Sequence, residues 1–168
     1  QRGYNRLDGG AHYYGVFETS DKRHISIGSI EPQFYALLKE KTGLGDDDLY
    51  PQGDRDKWPE NRAKLAEVFK TKTRQEWVDL MEDSDVCFGA VLTMSEAMEH
   101  PHNVARGSFV ELDGYKQPAP APRFTGTPTS VTTGATAPGQ NTRETLIAWG
   151  FDAAEVARLE AAGAVKQA

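Results

Sequence analysis

The chain of 168 residues is 38% hydrophobic and 26% charged, with a formal net charge of −6. That length suits one ordinary domain or a smaller domain with an appendage, and the acidic balance excludes general nucleic-acid binding, which needs a positive field. No apolar run approaches the roughly 20 residues of a membrane helix. The single cysteine, Cys87, excludes an internal disulfide framework and fits a reducing compartment.

The first residue is Gln1 rather than Met, so a piece of a longer polypeptide is expected, and no basic-then-apolar secretory leader. "HYYGVFETSDKRHISIGSI" reads as a β-hairpin. Tyr14, Val16 and Glu18 alternate with Tyr13, Gly15, Phe17 and Thr19, a polar turn follows at 20–23, and His24, Ser26 and Gly28 alternate with Ile25, Ile27 and Ser29. Period-two alternation marks half-buried strands. "GSIEPQFYALL" then passes from strand to helix. Pro32 suits the first helical position, Phe34, Leu37 and Leu38 form one apolar face, and Gly43 suits the stop. Glu31, directly before Pro32, has two readings. It is a cap welcomed by the helix dipole, or a carboxylate aimed at a substrate by the turn.

"GLGDDDLYPQGDRDKW" reads as an acidic surface loop, because Asp46, Asp47 and Asp48 lack the ligand run of a calcium site. Pro59 opens a helix with Leu65, Val68 and Phe69 on one side. Thr73 and Glu76 form a capping box for the next, with Trp77, Leu80 and Met81 facing inward. "VCFGAVL" at 86–92 predicts a buried strand in which Cys87 packs and does not react. Thr93 and Glu96 give a second capping box, for a helix carrying Met98, and "GSFVELDGYK" predicts a last strand leading into an Asp113-Gly114 turn.

At residue 117 the composition changes to Pro, Gly and Thr without hydrophobic period, which predicts an extended arm. Asn141 with Glu144, and Asp152 with Glu155, are expected to cap two short helices bearing Ile147, Trp149, Phe151, Val156 and Leu159. So few apolar groups make no independent core, and docking on another domain or subunit is expected. The fold class is therefore α/β (α+β), short strands covered by helices. Its organisation is a small domain at 1–116, an arm at 117–140 and a helical segment at 141–168. Among the histidines, His24 reads as a strand surface residue and His12 receives no catalytic role. His100 and His102 read as a turn, since an H-x-H pair without a third ligand makes no metal site.

"DGGAHYYGVFETSDKRHISIGSIEPQFYALL", "WPENRAKLAEVFKTKTRQEW", "SDVCFGAVL", "HPHNVARGSFVE", "PAPRFTGTP" and "GQNTRETLIAWGF" occur in order over nearly the whole chain. Together they resemble the smaller domain and returning C-terminal segment of the α-methylacyl-CoA racemases, in the family III CoA-transferase superfamily. The resemblance implies a missing N-terminal large domain of Rossmann-like fold and an interlocked homodimer. The active site would lie between one subunit's large domain and the other's small domain. It implies an acyl-CoA substrate, no separate cofactor because the substrate itself carries coenzyme A, and neither nucleic acid nor membrane as partner.

Inverting a 2-methylacyl-CoA requires removing the proton beside the thioester carbonyl and returning one to the opposite face through an enolate. The resemblance places the acid–base pair, a histidine and an aspartate, on the large domain, so this chain by itself is expected to be inactive. It further implies that Glu31 reaches that histidine, orients the imidazole and favours its protonated form. Leu7, Tyr14 and Ile30 match positions lining the acyl pocket. The plainer readings stay open: Leu7 a linker contact, Tyr14 a hairpin face residue, Ile30 a packing residue. Two other functions also stay open, half of a family III CoA-transferase and a non-catalytic dimerisation module. A cytoplasmic location is expected, with a mitochondrial or peroxisomal matrix as the alternative.

Overall fold

The hairpin predicted from alternation forms as antiparallel β1 (Tyr14–Glu18) and β2 (His24–Gly28), with Tyr14 opposite Gly28 and Phe17 opposite Ile25. Phe17, Ile25 and Ile27 are buried on one face, whereas Val16 on the other is exposed. A third strand, β3 (Phe88–Val91), pairs antiparallel with β2 to give the order β1-β2-β3. The expectation of a buried strand is corrected here. β3 is an edge with a partner on one side, its residues are half-buried or exposed, and only Val86 ahead of it is fully buried. Cys87 is corrected with it: the residue is exposed and adopts a left-handed φ of 58° just before the strand begins. This is a computed structural model and describes residues 2–168.

Helices cover the buried face. α1 (Pro32–Thr42) starts on Pro32 and stops where Gly43 takes φ 73°, its N–H donating to the Glu40 carbonyl while Leu44 N–H reaches Lys39. Tyr35 and Leu38 are its buried residues, and Phe34 is only half-buried. After a short 3-10 turn (Arg55–Lys57), α2 (Trp58–Phe69) buries Trp58, Asn61, Leu65 and Phe69, a stripe at helical spacing. α3 (Arg74–Met81) carries the predicted capping box: the Thr73 hydroxyl accepts from Glu76 N–H and the Glu76 carboxylate accepts from Thr73 N–H. Trp77 and Met81, four residues apart, define its inner stripe. Leu80 falls on the flank and is exposed, a third correction. Phe17, Phe69 and Trp77 interlock with ring centroids 5.0 and 5.1 Å apart, and Trp77 Nε1 donates to the Phe69 carbonyl at 2.8 Å. Each such side chain contributes about 1.5–3 kcal/mol by leaving water.

These elements belong to the first of two units, which divide between Ala97 and Met98. The division falls inside α4 (Met94–Glu99), whose start is a second reciprocal Thr93–Glu96 box. The second unit holds α5 (Pro101–Ala105) and a hairpin of β4 (Phe109–Leu112) and β5 (Tyr115–Pro118). β5 is a strand beyond the one expected to be last. Asp113 at φ 53° and Gly114 at φ 80° give the two left-handed residues that a tight hairpin turn demands. An irregular arm follows, then α6 (Thr142–Ala148) and α7 (Ala153–Ala161). Asp152 caps α7 as predicted, but Asn141 makes no side-chain cap on α6. Among the described residues of this unit, only Val156 is buried. No helix among the described residues is long and apolar enough to cross a membrane.

Candidate functional site

The outer face of the three-stranded sheet carries no helix-facing core residue. Cross-strand pairing puts Tyr14, Gly28, Ser26 and Gly89 on it together. Where Gly28 lacks a side chain, the Tyr14 ring lies within van der Waals reach, 3.5 Å from the place a Cβ would occupy. Two residues on, the chain leaves β2 through a short strap, Ser29 and Ile30, and delivers Glu31 to the mouth of α1. Tyr14, Ile30 and Glu31 thus come from one end of the sheet, while Leu7 comes from a separate loop.

The strap is held from several sides. Ser29 N–H donates to the Tyr13 carbonyl at 3.0 Å, Ser29 Oγ donates to the Val86 carbonyl at 2.6 Å, and Ile30 N–H turns back to Gly28 at 2.8 Å. Gln52 Nε2 donates to the carbonyls of Ile30 (2.8 Å) and Ser29 (3.2 Å). Glu31 occupies the N-cap position of α1 in extended backbone (φ −72°, ψ 146°) and its carbonyl accepts the first helical bond, from Tyr35 N–H. Its side chain makes no capping hydrogen bond and is exposed. The bland reading of Glu31 as a side-chain cap is therefore not what the geometry does. Its charge is felt at Cys87, where burial first, then Asp85 and Glu31, push the thiol above its ordinary range. That is the reverse of what a nucleophilic cysteine needs.

Leu7 stands 65% exposed on a loop built around one carboxylate. Asp8 accepts from the N–H groups of Gly3 (2.8 Å), Asn5 (2.9 Å) and Gly10 (3.3 Å) and from Asn5 Nδ2 (2.8 Å), which hold its pKa down at about 2. Gly10 allows the loop to close, since a Cβ there would lie 2.7 Å from the Asn5 carbonyl. Ile30 and Tyr14 are both half-buried and packed against the core cluster.

Several polar residues with no expected functional role support this end of the molecule. His12 is fully buried, its Nε2 2.8 Å from the Tyr35 hydroxyl and 3.5 Å from Asn61 Nδ2. Burial, and then the nearby Arg62 charge, lower its pKa to about 4, so it stays neutral at physiological pH. Asn61 also brackets Tyr50, accepting from its N–H at 3.0 Å and donating to its carbonyl at 3.1 Å. Trp58 Nε1 donates to the Gln52 carbonyl at 2.8 Å. Asn61 is the polar member of an otherwise apolar stripe, in phase with Trp58, Leu65 and Phe69, and that phase was the available signal for its burial.

Elsewhere, a cleft of about 530 Å³ in the second unit is bounded by Val110, Leu112, Phe124 and Val131, with Arg123 turned to the backbone carbonyls of Arg106 and Gly107. In the first unit, Arg23 and Arg74 converge on Glu96, which they and Thr93 hold well below the usual carboxylate range. Among the described residues, no group of His, Cys, Asp and Glu is arranged to hold a metal ion.

Comparison with known proteins bears on all of this. A family model described as CoA-transferase family III matches residues 1–142. Human α-methylacyl-CoA racemase is 40% identical over 161 residues, covering 94% of this chain and 42% of its own length. An acyl-CoA transferase of Fusarium pseudograminearum is 31% identical over 164 residues, covering 90% of this chain and 36% of its own length. The chain thus spans less than half of the curated relatives it matches. Among solved structures, that of a hypothetical protein from Mycobacterium tuberculosis superposes with a TM-score of 0.61 at 22% identity, covering 71% of this chain and 35% of the other.

Proposed function

The chain belongs to CoA-transferase family III, and from that premise we propose that it is the small-domain portion of an α-methylacyl-CoA racemase. The reaction is inversion at the 2-methyl-branched carbon of an acyl-CoA thioester, by loss and return of the α-proton through an enolate. A thioester enolate forms at neutral pH only where an acid–base pair flanks the carbon and donors stabilise the oxygen. No such pair is formed by the candidate residues here. The proton carriers, a histidine and an aspartate, are assigned to the portion of the relatives that this chain does not cover.

The observation that carries the reading is Glu31. A carboxylate exposed at a helix mouth, fixed by backbone on both sides and making no cap, is suited to a charged partner outside its own helix. Beside the histidine of the large domain it orients the ring and favours the imidazolium, as a neighbouring carboxylate does. Leu7, Tyr14 and Ile30 contribute apolar lining for the acyl chain, which binds by burial. The site is then shared between subunits of an interlocked homodimer. The 31% identical acyl-CoA transferase supports a second reading, in which CoA passes to another carboxylic acid.

Both readings are separated by giving the completed polypeptide a single-enantiomer 2-methylacyl-CoA, with and without an acceptor acid. Epimerisation without acceptor, lowered about 10²-fold or more by Glu31→Gln, is the expected result. Strict dependence on the acceptor, with CoA appearing on it, would replace racemisation by transfer.

A further inference from the structure

We infer that Gln52 is a positioning residue for Glu31, its carboxamide clamping the two carbonyls of the strap that presents that carboxylate. This rests on the proposed role of Glu31. Downstream, Glu31 is fixed by the first turn of α1 through its own carbonyl. Upstream, the Ser29 and Ile30 N–H groups bond back toward Tyr13 and Gly28, and the carbonyl edge of the same two residues is gripped by Gln52 Nε2. A single NH2 group meets both oxygens, so the peptide joining Ile30 to Glu31 is held at its oxygen.

Gln52 is itself anchored. Its carbonyl accepts the indole N–H of Trp58, which is 2% exposed, and two residues earlier Tyr50 is bracketed by fully buried Asn61. Trp58 and Asn61 lie on the buried face of α2, so the 50–52 segment is tied to a helix packed into the core of the first unit. The route runs from α2 through Gln52 to the strap and Glu31. The chemistry of the clamp fits the task. A lysine or arginine could hold the same carbonyls, but would place a cation beside Glu31 and compete for it. A carboxamide donates without charge and leaves the carboxylate available to an imidazolium.

Three substitutions in the complete polypeptide, this chain preceded by the portion its relatives carry, test the inference through α-proton exchange of a 2-methylacyl-CoA. Gln52→Met keeps length and removes the donor. Gln52→Glu keeps shape and faces two carbonyl oxygens with another oxygen. Gln52→Asn keeps the carboxamide but stops one carbon short, and serves if either of the others does not fold. Each is expected to lower kcat about ten- to a hundredfold, the scale of a small misplacement of a reacting group, with KM close to wild type. Introduced into Glu31→Gln, each is expected to add no further loss, because both act on one function. The Gln52→Glu deficit should also shrink relative to wild type as pH falls, because a carboxyl facing two carbonyl oxygens takes up a proton more readily and then donates again. Wild-type kcat in all folded Gln52 variants, or losses that multiply with Glu31→Gln, would overturn the inference while leaving the role of Glu31 intact. A Glu31→Gln enzyme at wild-type rate would overturn that role, and the clamp's purpose with it.

Discussion

His12 shows how a single buried polar side chain ties stability to pH. Its imidazole is sealed between Tyr35 and Asn61 and held at a pKa of about 4, against an ordinary 6.5. The unfolded chain therefore takes up a proton below about 6.5 that the folded chain refuses until about 4. Stability due to His12 is fully present above 6.5 and falls as pH drops through that window, by an amount on the order of 3 kcal/mol. Denaturant melts between pH 7 and pH 4 should show this loss. His12→Gln, which can keep a hydrogen bond to Tyr35 and does not titrate, should flatten it; an unchanged pH slope in that variant would refute the assignment. Glu31 lies at the opposite extreme, its side chain exposed and making no capping hydrogen bond while its backbone carbonyl, which Gln retains, accepts the first helical bond, so Glu31→Gln should leave the melting temperature nearly unchanged.

At the level of elements, punctuation residues place the helices and strands. The Thr73–Glu76 box starts α3, which in turn carries Trp77 and Met81 into the core. Thr73→Ala should cost about 1 kcal/mol, read as a lower denaturant midpoint without change in slope. Gly43, in the left-handed region at φ 73° with open space around it, should cost about 1 kcal/mol when replaced by Ala, through backbone alone. Such signals are local, so the hairpin, the Pro32 start, the Gly43 stop and both capping boxes were legible from neighbours in sequence. What was not legible depends on distant partners. A run as apolar as "VCFGAVL" does not say whether its strand has one neighbour or two, and β3 has one. Asn61 and His12 are 49 positions apart, and Gln52 grips carbonyls 22 and 23 positions away. The helical phase of Asn61 marks its burial, but nothing in the local sequence names these distant partners. Glu31 was found by its odd placement, a charge between an apolar strap and a proline, but its failure to cap is a property of geometry.

Taken as a molecule, the two units differ in self-sufficiency. The first has a continuous core of interlocked aromatics. The second buries only Val156 among its described residues and leaves Trp149 79%, Ile147 51% and Phe124 53% exposed. Its terminal segment is nevertheless tied together: Ala168 N–H donates to the Gly139 carbonyl at 3.0 Å and Arg143 Nε meets both oxygens of Glu160 at 3.0 Å. A terminal segment that closes on itself yet exposes its apolar residues fits the proposal that it docks on the portion absent from this chain. Trp58 and Trp77 are buried, so Trp149 dominates quenching by a soluble quencher such as iodide. That quenching should be strong in the chain alone and largely lost in the completed polypeptide; equal quenching in both would argue against docking there.

The most direct test is deuterium incorporation at C2 of a 2-methylacyl-CoA in D2O, followed for this chain alone and for the chain completed by the N-terminal portion of its relatives. The account predicts no incorporation above background from the chain alone and incorporation with epimerisation once it is completed. Substantial exchange by the chain alone would contradict it, because the groups that carry the proton would then lie within these residues.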